Sequence, residues 1–277
     1  MKKIIVMATL MLAFIQLNAQ KLIVVDSQHL HCHDSVLVFI PSQYADNYME
    51  SKLPAVYLLH GFGGCYRNWA DRSDLQKASD RSGFIIICPD GFYNSWYVND
   101  SNSDGMQYRE FFHRELYPLM AMDFNLSAER TFITGLSMGG NGAMNLFLDD
   151  TSKFAAAGSM SGALDLYDCS WLIDKWISKV LGPNTADNKR YVEESSVNRV
   201  ALAKGTDKLL IVSCGYDDTL FPSSTKFVEN CKKEGVPYIA LFSPGVHSWT
   251  FWDYALQSHL WYFSRILNGE NLGFKKN

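Results

Sequence analysis

A serine in a glycine-rich segment is the residue whose surroundings most clearly predict chemistry. Ser137 lies in the run Gly135-Leu136-Ser137-Met138-Gly139-Gly140, which follows a strand-like apolar segment and precedes a helical pattern. A serine held in a sharp turn between a strand and a helix exposes its hydroxyl above the sheet, and such a turn needs small neighbours. The backbone N–H of Met138, at the start of the helix, can stabilise an oxyanion. The segment therefore predicts a nucleophilic serine.

A serine hydroxyl needs a base to become a good nucleophile, and two histidines follow Ser137 in the chain. His247 lies in a loop directly after the apolar run 238–242, whereas His259 lies inside the final helical pattern. Imidazole suits the task because its unperturbed pKa is about 6.5. We therefore expect His247 to be the base and His259 to be a packed or exposed histidine without a catalytic role.

The acid that orients this base is expected in the loop after the preceding strand. The apolar run 209–213 is followed by Cys-Gly-Tyr-Asp-Asp, so that either Asp217 or Asp218 could reach the histidine loop. Adjacent side chains point apart, and only one of the two should contact His247. Asp165, which follows an earlier strand, is a weaker third candidate. Spacing alone leaves the choice between Asp217 and Asp218 open.

A second glycine-rich loop, Leu-Leu-His-Gly-Phe-Gly-Gly at 58–64, ends an earlier apolar strand. Glycines allow the backbone to turn an N–H into a site, and we expect the N–H of Phe62 to be an oxyanion donor opposite Met138. His60 precedes the serine, whereas the usual order along the chain in strand–helix hydrolases is serine, acid, histidine. We therefore expect His60 to support the loop.

The elements that must position these residues alternate along the chain. Most of the strand-like runs after residue 55 are continuously apolar, as in a parallel sheet covered by helices on both faces. The pattern predicts an α/β fold with a mostly parallel, doubly wound sheet, whose strands carry the site at their carboxyl ends. The stretch 163–207 breaks the alternation and predicts an inserted helical segment near the site, with a plain connection favoured over a lid. The predicted strands are 21–26, 36–40, 55–59, 84–88, 131–134, 155–159, 209–213 and 238–242, and the predicted helices are 69–81, 108–122, 141–148, 223–234 and 249–267.

Taken together, these motifs resemble the putative esterase family of α/β-hydrolases. That family includes esterase D (formylglutathione hydrolase), the feruloyl and acetyl-xylan esterases of carbohydrate esterase family 1, tributyrin esterases and mycolyltransferases. The resemblance covers most of the chain after residue 19 and rests on the segments 58–64, 94–97, 135–140, 158–162, 214–220 and 245–249.

The resemblance implies a serine esterase of the α/β-hydrolase fold that uses no cofactor. The family's G-x-x-D-x-L pattern places the acid at Asp218, which completes a triad with Ser137 and His247. It also implies that Trp96 and Tyr97 line the substrate pocket, with ordinary aromatic packing as the alternative. Trp249, two residues after the predicted base, is expected to border the same pocket.

The first nineteen residues predict export. Lys2 and Lys3 precede a nearly unbroken apolar run from Ile4 to Ile15, and the small residue Ala19 ends the segment. These features are typical of a secretory signal peptide, and the run is shorter than the about 20 residues that a membrane span needs. We expect residues 1–19 to be a signal peptide, residues 20–277 to form one esterase domain, and the protein to be secreted or periplasmic.

Composition limits the partners of the chain. The net charge is −4 and there is no basic stripe, so we expect neither nucleic acid nor an anionic membrane surface as a partner. Six cysteines permit disulfides after export, although Cys88 and Cys214 end apolar runs where buried free thiols are at least as well supported. His29, His31 and His33 alternate along a strand, but no carboxylate cluster accompanies them, and we expect no metal site.

Three functions are compatible with the sequence. The favoured one is hydrolysis of a carboxylic ester, in a small molecule or linked to a polysaccharide, through an acyl-enzyme. Export favours feruloyl or acetyl esters of plant polysaccharide over intracellular S-formylglutathione. The alternatives are an acyltransferase with the same triad and a catalytically silent binding protein on a hydrolase scaffold.

Overall fold

An eight-stranded sheet runs through the computed structural model, which describes residues 19–167 and 176–273. The strand order is β1-β2-β4-β3-β5-β6-β7-β8; β2 is antiparallel to both of its neighbours, and the pairs from β4 to β8 are parallel. The eight predicted strands are all present, and the predicted mostly parallel α/β sheet is confirmed. The strands are β1 (Gln20–Ser27), β2 (Cys32–Phe39), β3 (Ala55–Leu59), β4 (Ile85–Pro89), β5 (Thr131–Gly135), β6 (Ala156–Met160), β7 (Leu209–Gly215) and β8 (Tyr238–Ser243).

Helices connect the strands and cover the sheet. The helical stretch between β4 and β5 contains a π-helical turn at Phe112–Leu116, with α2 before it and α3 after it. Short 3-10 turns lie at 42–44, 128–130, 151–153, 196–198 and 200–203. The α-helices are α1 (Leu75–Ser82), α2 (Tyr108–Phe111), α3 (Tyr117–Asp123), α4 (Met138–Asp149), α5 (Ser178–Leu181), α6 (Arg190–Glu193), α7 (Phe221–Glu234) and α8 (Trp249–Leu267).

The apolar core lies on both faces of the sheet, which explains the continuously apolar strands. Every residue of β3 to β7 is buried. One core layer joins the sheet to the 108–123 stretch, α4 and α7, and the other joins it to α1 and α8. Burial of one large aliphatic side chain stabilises the fold by about 1.5–3 kcal/mol, so these two layers hold the carboxyl ends of the strands in fixed positions.

The connection between β6 and β7 is attached to the helix that follows Ser137. The side-chain amides of Asn141 and Asn145 on α4 both donate to the Glu194 carbonyl, at 3.0 and 2.8 Å. The Glu194 carboxylate in turn pairs with Arg109 at 2.9 Å. These buried bonds fix the later part of the connection against the body of the protein.

The predicted signal peptide lies outside the described residues except for Ala19, and residues 168–175 and 274–277 also lie outside them. In the described ranges, no helix combines the length and apolar character that crossing a membrane requires. The five described cysteines, at 32, 65, 88, 214 and 231, are free thiols.

Candidate active site

Ser137 occupies a strained turn between β5 and α4. Its backbone has φ 53° and ψ −117°, a left-handed conformation that is costly for a residue with a Cβ. The glycines around it are required by close backbone contacts: a methyl group on Gly139 would lie 2.4 Å from the His60 carbonyl oxygen, and one on Gly135 would lie 2.4 Å from that of Gly139. The turn therefore presents the serine hydroxyl at the carboxyl end of the sheet, as the sequence predicts.

The structure brings Ser137, His247 and Asp218 into one line of hydrogen bonds. His247 Nε2 lies 3.0 Å from Ser137 Oγ, and His247 Nδ1 lies 3.0 Å from each carboxylate oxygen of Asp218. His247 follows β8 and Asp218 follows β7, so that both loops leave the sheet at the edge above which Ser137 stands. With Nδ1–H donating to the carboxylate, Nε2 is free to accept the serine proton.

Burial separates Asp218 from its sequence neighbour. Asp218 is 4% exposed and also accepts a hydrogen bond from the Leu220 N–H at 2.8 Å, whereas Asp217 is exposed. Burial alone would raise the pKa of Asp218, but the hydrogen bond and charge of His247 outweigh it, and the pKa lies below its usual value. The third candidate, Asp165, pairs with Lys226 and does not contact His247.

The glycine-rich loop at 58–64, which we call the oxyanion loop, lies against the serine turn. A methyl group on Gly61 would be 3.4 Å from Ser137 Cβ and 2.6 Å from Leu136 Cδ1. In the described part of the chain, neither the Phe62 N–H nor the Met138 N–H donates a hydrogen bond to another residue. Both N–H groups are therefore unbonded to the described residues, and their role as oxyanion donors stays a prediction.

His60 supports this loop and does not act with the serine. Its Nδ1–H donates to the Gly61 carbonyl at 2.8 Å, and its Nε2 accepts the Gly91 N–H at 2.7 Å. The ring is 1% exposed, and its Nε2 also lies 3.4 Å from the Asp90 carboxylate. It thus joins the loops after β3 and β4, as the chain-order argument predicts.

The expectation that Trp96 and Tyr97 line the pocket is not met by their positions. Trp96 is 1% exposed and Tyr97 is fully buried, so neither offers surface to a substrate. Tyr97 instead donates its hydroxyl hydrogen to the His60 carbonyl at 2.9 Å, and Trp96 donates its indole N–H to Asn94. The segment 94–97 therefore supports the oxyanion loop, because the buried Tyr97 bonds to His60 and the buried Trp96 ring packs near Phe62.

Trp249 is half-buried and packs edge-to-face on Trp69 and Trp252, with ring centroids 5.2 Å apart in each pair. Trp252 also makes an edge-to-face contact with the His247 ring at 4.8 Å. Trp249 therefore packs on Trp252, which in turn contacts the His247 ring. That Trp249 contacts substrate stays a prediction.

Sequence reasoning did not single out two aromatic residues near Phe62. Tyr93, in the loop after β4, and Trp176, in the connection between β6 and β7, both contact the Phe62 ring. The position of Tyr93 just beyond the carboxyl end of β4 is the signal that could have identified it, because ligand sites of such sheets lie there.

The remaining histidines and acids do not form a metal site within the described residues. His259 is fully buried between Thr134 and Ser213, and burial lowers its pKa to about 3. His29 contacts Glu115 at 2.6 Å, and His33 contacts Asp26. His29 and His31 lie in the turn between β1 and β2, and His33 lies on β2, so the expected placement of all three on one strand is wrong.

A hydroxyl, an imidazole and a carboxylate in line beside two unbonded amides can perform acyl transfer without a metal or cofactor. The fold and this arrangement define an enzyme of the α/β-hydrolase type. Comparison with known proteins narrows the class. Residues 27–263 match the family described as "Putative esterase", and the chain belongs to that family. It is a serine esterase.

The chain is similar to an acetyl esterase of Caldicellulosiruptor saccharolyticus, with 25% identity over 257 residues that cover 87% of this chain and 96% of the relative. An S-formylglutathione hydrolase of Mus musculus is 26% identical over 274 residues, covering 90% of this chain and 94% of that protein. The solved structure of a ferulic acid esterase superposes with a TM-score of 0.75 at 26% identity, covering 90% and 98% of the two chains.

Proposed function

We propose that this esterase hydrolyses carboxylic esters with Ser137 as nucleophile, His247 as general base and acid, and Asp218 as the group that orients the imidazole. The observation that carries the proposal is the continuous hydrogen-bond line from Asp218 through His247 to Ser137 Oγ. The N–H groups of Phe62 and Met138 are the proposed oxyanion donors.

The residues act in two half-reactions. Ser137 Oγ attacks the ester carbonyl carbon while His247 Nε2 takes the hydroxyl proton, and the carbonyl oxygen becomes an oxyanion beside the two amides. The intermediate collapses to an acyl-serine, and the departing alcohol takes the proton from Nε2. Water then attacks the acyl-serine with His247 again as base, which releases the acid and restores the serine hydroxyl. The lowered pKa of Asp218 keeps it ionised, so it stabilises the imidazolium in both steps.

The proposed substrates are acetyl or feruloyl esters of plant polysaccharide outside the cell. Similarity to an acetyl esterase and to a ferulic acid esterase supports these acyl groups, and the predicted signal peptide supports the location. Similarity to S-formylglutathione hydrolases favours a second candidate, hydrolysis of that thioester by the same residues.

A substrate panel tests the proposal. The chain from Gln20 onward is assayed for kcat/KM on p-nitrophenyl acetate, methyl ferulate, acetylated xylan and S-formylglutathione, with Ser137→Ala as the control. We expect the three oxygen esters to be hydrolysed and the control to be inactive. The polysaccharide assignment is wrong if S-formylglutathione is preferred by orders of magnitude. Transfer of the acyl group to an added sugar or alcohol in preference to water would identify an acyltransferase, and no turnover of any ester would indicate a binding protein.

The proposed export has its own test. The protein is expressed with its full sequence in a bacterium, and its N-terminus is sequenced after recovery from the periplasm or medium. We expect Gln20 as the first residue, because Ala19 ends the predicted signal peptide. Recovery from the cytoplasm with residues 1–19 intact would contradict export.

A further inference from the structure

Three aromatic rings from three separate segments meet at the oxyanion loop. Phe62 lies in the loop after β3, Tyr93 in the loop after β4, and Trp176 in the connection between β6 and β7. The ring centroids are 5.0 Å apart for Phe62 and Tyr93, 5.3 Å for Phe62 and Trp176, and 5.4 Å for Tyr93 and Trp176. Each ring therefore contacts the other two, and we call this set the aromatic triangle.

Backbone and side-chain hydrogen bonds join the same three segments. The Gly63 N–H donates to the Tyr93 carbonyl at 2.9 Å. The side-chain amide of Asn94 donates to the Trp176 carbonyl at 2.8 Å, and its oxygen accepts the indole N–H of the buried Trp96 at 2.9 Å. Trp176 is thus held against the loop after β4 through its main chain as well as its ring.

The Phe62 side chain is well placed to fix its own backbone N–H. Phe62 lies in a turn that the Gly64 N–H closes by donating to the Gly61 carbonyl at 3.1 Å, and its two neighbours in the chain are glycines, of which Gly63 has φ +76°. His60 and Tyr97 hold the start of the loop, at the carbonyls of Gly61 and His60. The bonds of Gly63 and Gly64 hold the main chain around Phe62, and the ring contacts with Tyr93 and Trp176 add a side-chain restraint at the residue that carries the donor.

We propose that Trp176 is a positioning residue, which acts through Phe62 to hold the Phe62 N–H where the oxyanion forms. The inference rests on the proposed function, because it uses the role of Phe62 as an oxyanion donor. It gives the connection between β6 and β7 a part in the chemistry in addition to its role as a link between strands. A donor displaced from the oxyanion loses its effect in the transition state, whereas ground-state binding of the substrate changes little.

The central experiment compares kcat and KM of Trp176→Ala with those of Trp176→Phe on p-nitrophenyl acetate. We expect Trp176→Ala to lower kcat by about tenfold to a hundredfold with KM within about twofold, since misplacing one donor costs less than removing it. Trp176→Phe keeps a ring against Phe62 and should retain most of kcat. Trp261→Ala is the matched control, because Trp261 is a half-exposed tryptophan that contacts Tyr262 and Arg265 on α8.

A transition-state analogue separates positioning from substrate contact. Ser137 Oγ adds to the carbonyl carbon of a trifluoromethyl ketone and His247 takes the proton, which leaves an oxyanion beside Phe62 and Met138. We expect the affinity of Trp176→Ala for this ketone to fall by the same factor as kcat. A raised KM with unchanged kcat would overturn the proposal and make Trp176 a wall of the substrate pocket. Unchanged kcat and KM would overturn it as well.

A second variant keeps the proposal testable if Trp176→Ala does not fold. Tyr93 is 53% exposed, so Tyr93→Ala removes another side of the aromatic triangle with little loss of core. We expect it to lower kcat with KM within about twofold, because it removes one of the two rings that contact Phe62. Wild-type kcat in Tyr93→Ala would contradict the proposal. Activity in Ser137→Ala would instead refute the proposed function, irrespective of the aromatic triangle.

Discussion

At the scale of single residues, local burial decides which of two adjacent aspartates can orient the base. The Asp218 carboxylate faces the interior, where the His247 imidazole and the Leu220 N–H satisfy it, while Asp217 faces solvent. A carboxylate in a dry, hydrogen-bonded setting holds one imidazole tautomer far better than one that water can reach.

Replacing the two aspartates by asparagine tests this assignment. We expect Asp218→Asn to lower kcat by about 10³- to 10⁴-fold, because an amide can donate to Nδ1 and so favours the wrong tautomer. Asp217→Asn should stay within about twofold of the wild type, since its side chain is exposed. The measurement is kcat on p-nitrophenyl acetate at pH 8. Comparable losses in both variants, or a larger loss for Asp217→Asn, would show that the acid is assigned wrongly.

The sequence predicted Ser137 and His247 because each follows an apolar strand in a loop of distinctive composition. It could not choose between Asp217 and Asp218 from spacing, because the direction of a side chain in a loop depends on backbone torsions. The prediction that Trp96 and Tyr97 line the substrate pocket was wrong for a related reason. An aromatic side chain fills a core as readily as it lines a cleft. Here both rings are buried next to the oxyanion loop.

At the scale of elements, strands were predicted closely because burial on both faces leaves an unmistakable apolar run. Helix starts were predicted less well. The predicted helix 69–81 begins at Leu75, where the Asp74 side chain caps it, and Trp69 instead donates to the Leu59 carbonyl beneath the oxyanion loop. The helix predicted from residue 141 begins at Met138, since the serine turn imposes helix on Gly139 and Gly140 despite their low propensity.

Helix α8 is tied to the centre of the sheet by one buried histidine. The two ring nitrogens of His259 lie 2.8 Å from Thr134 Oγ1 on β5 and 2.5 Å from Ser213 Oγ on β7. A methyl group on Gly158 of β6 would lie 2.4 Å from the same ring, so the glycine makes room for it. The ring thus spans three strands beneath the site, in a place where a charged imidazolium could not be hydrated.

This contact predicts a loss of stability in acid. Burial lowers the pKa of His259 to about 3, whereas an unfolded histidine has a pKa of about 6.5. As pH falls below about 6.5, the unfolded chain binds a proton that the folded chain excludes, so the free energy of unfolding decreases until about pH 3. Between pH 7 and pH 4.5, urea unfolding should show a decrease about 2 kcal/mol larger in the wild type than in His259→Gln. Equal pH slopes for the wild type and His259→Gln would contradict this prediction.

At the scale of the whole molecule, the pH dependence of stability also contains a contribution from buried Asp34, which is opposite in sign to that of His259. Both carboxylate oxygens of Asp34 on β2 are buried, and the backbone N–H groups of Ser35 and Asp90 offset only part of the cost of burying a charge there. Burial, together with the nearby charge of Asp90, raises the pKa of Asp34 to about 9. The unfolded chain releases this proton from about pH 4 upward, so the contribution of Asp34 to stability is full in acid and is lost as pH rises towards 9. Between about pH 4 and 6.5 the contributions of His259 and Asp34 to the pH dependence of the free energy of unfolding have opposite signs and compensate each other. Above about pH 6.5 only the contribution of Asp34 of these two remains, and the free energy of unfolding decreases as pH rises.

Asp34→Asn should therefore stabilise the protein, and more so at higher pH. Asparagine has nearly the same shape as the protonated acid and binds no proton, so the cost of keeping Asp34 neutral disappears. We expect a gain on the order of 2–4 kcal/mol in the free energy of unfolding at pH 7.5 and almost none at pH 4.5. Urea unfolding at pH 7.5 and at pH 4.5 measures this gain for Asp34→Asn and for the exposed control Asp46→Asn. A gain that does not depend on pH, or a destabilised variant at pH 7.5, would contradict this prediction.

The proposed mechanism requires that Ser137 Oγ carries the acyl group during turnover. Rapid acid quenching of the enzyme during turnover of p-nitrophenyl acetate, followed by peptide mass spectrometry, measures the position of that group directly. We predict an acetyl group on Ser137 in the wild type and none at this position in Ser137→Ala. Full turnover with the acetyl group on a different residue, or undiminished turnover by Ser137→Ala, would contradict the proposed mechanism.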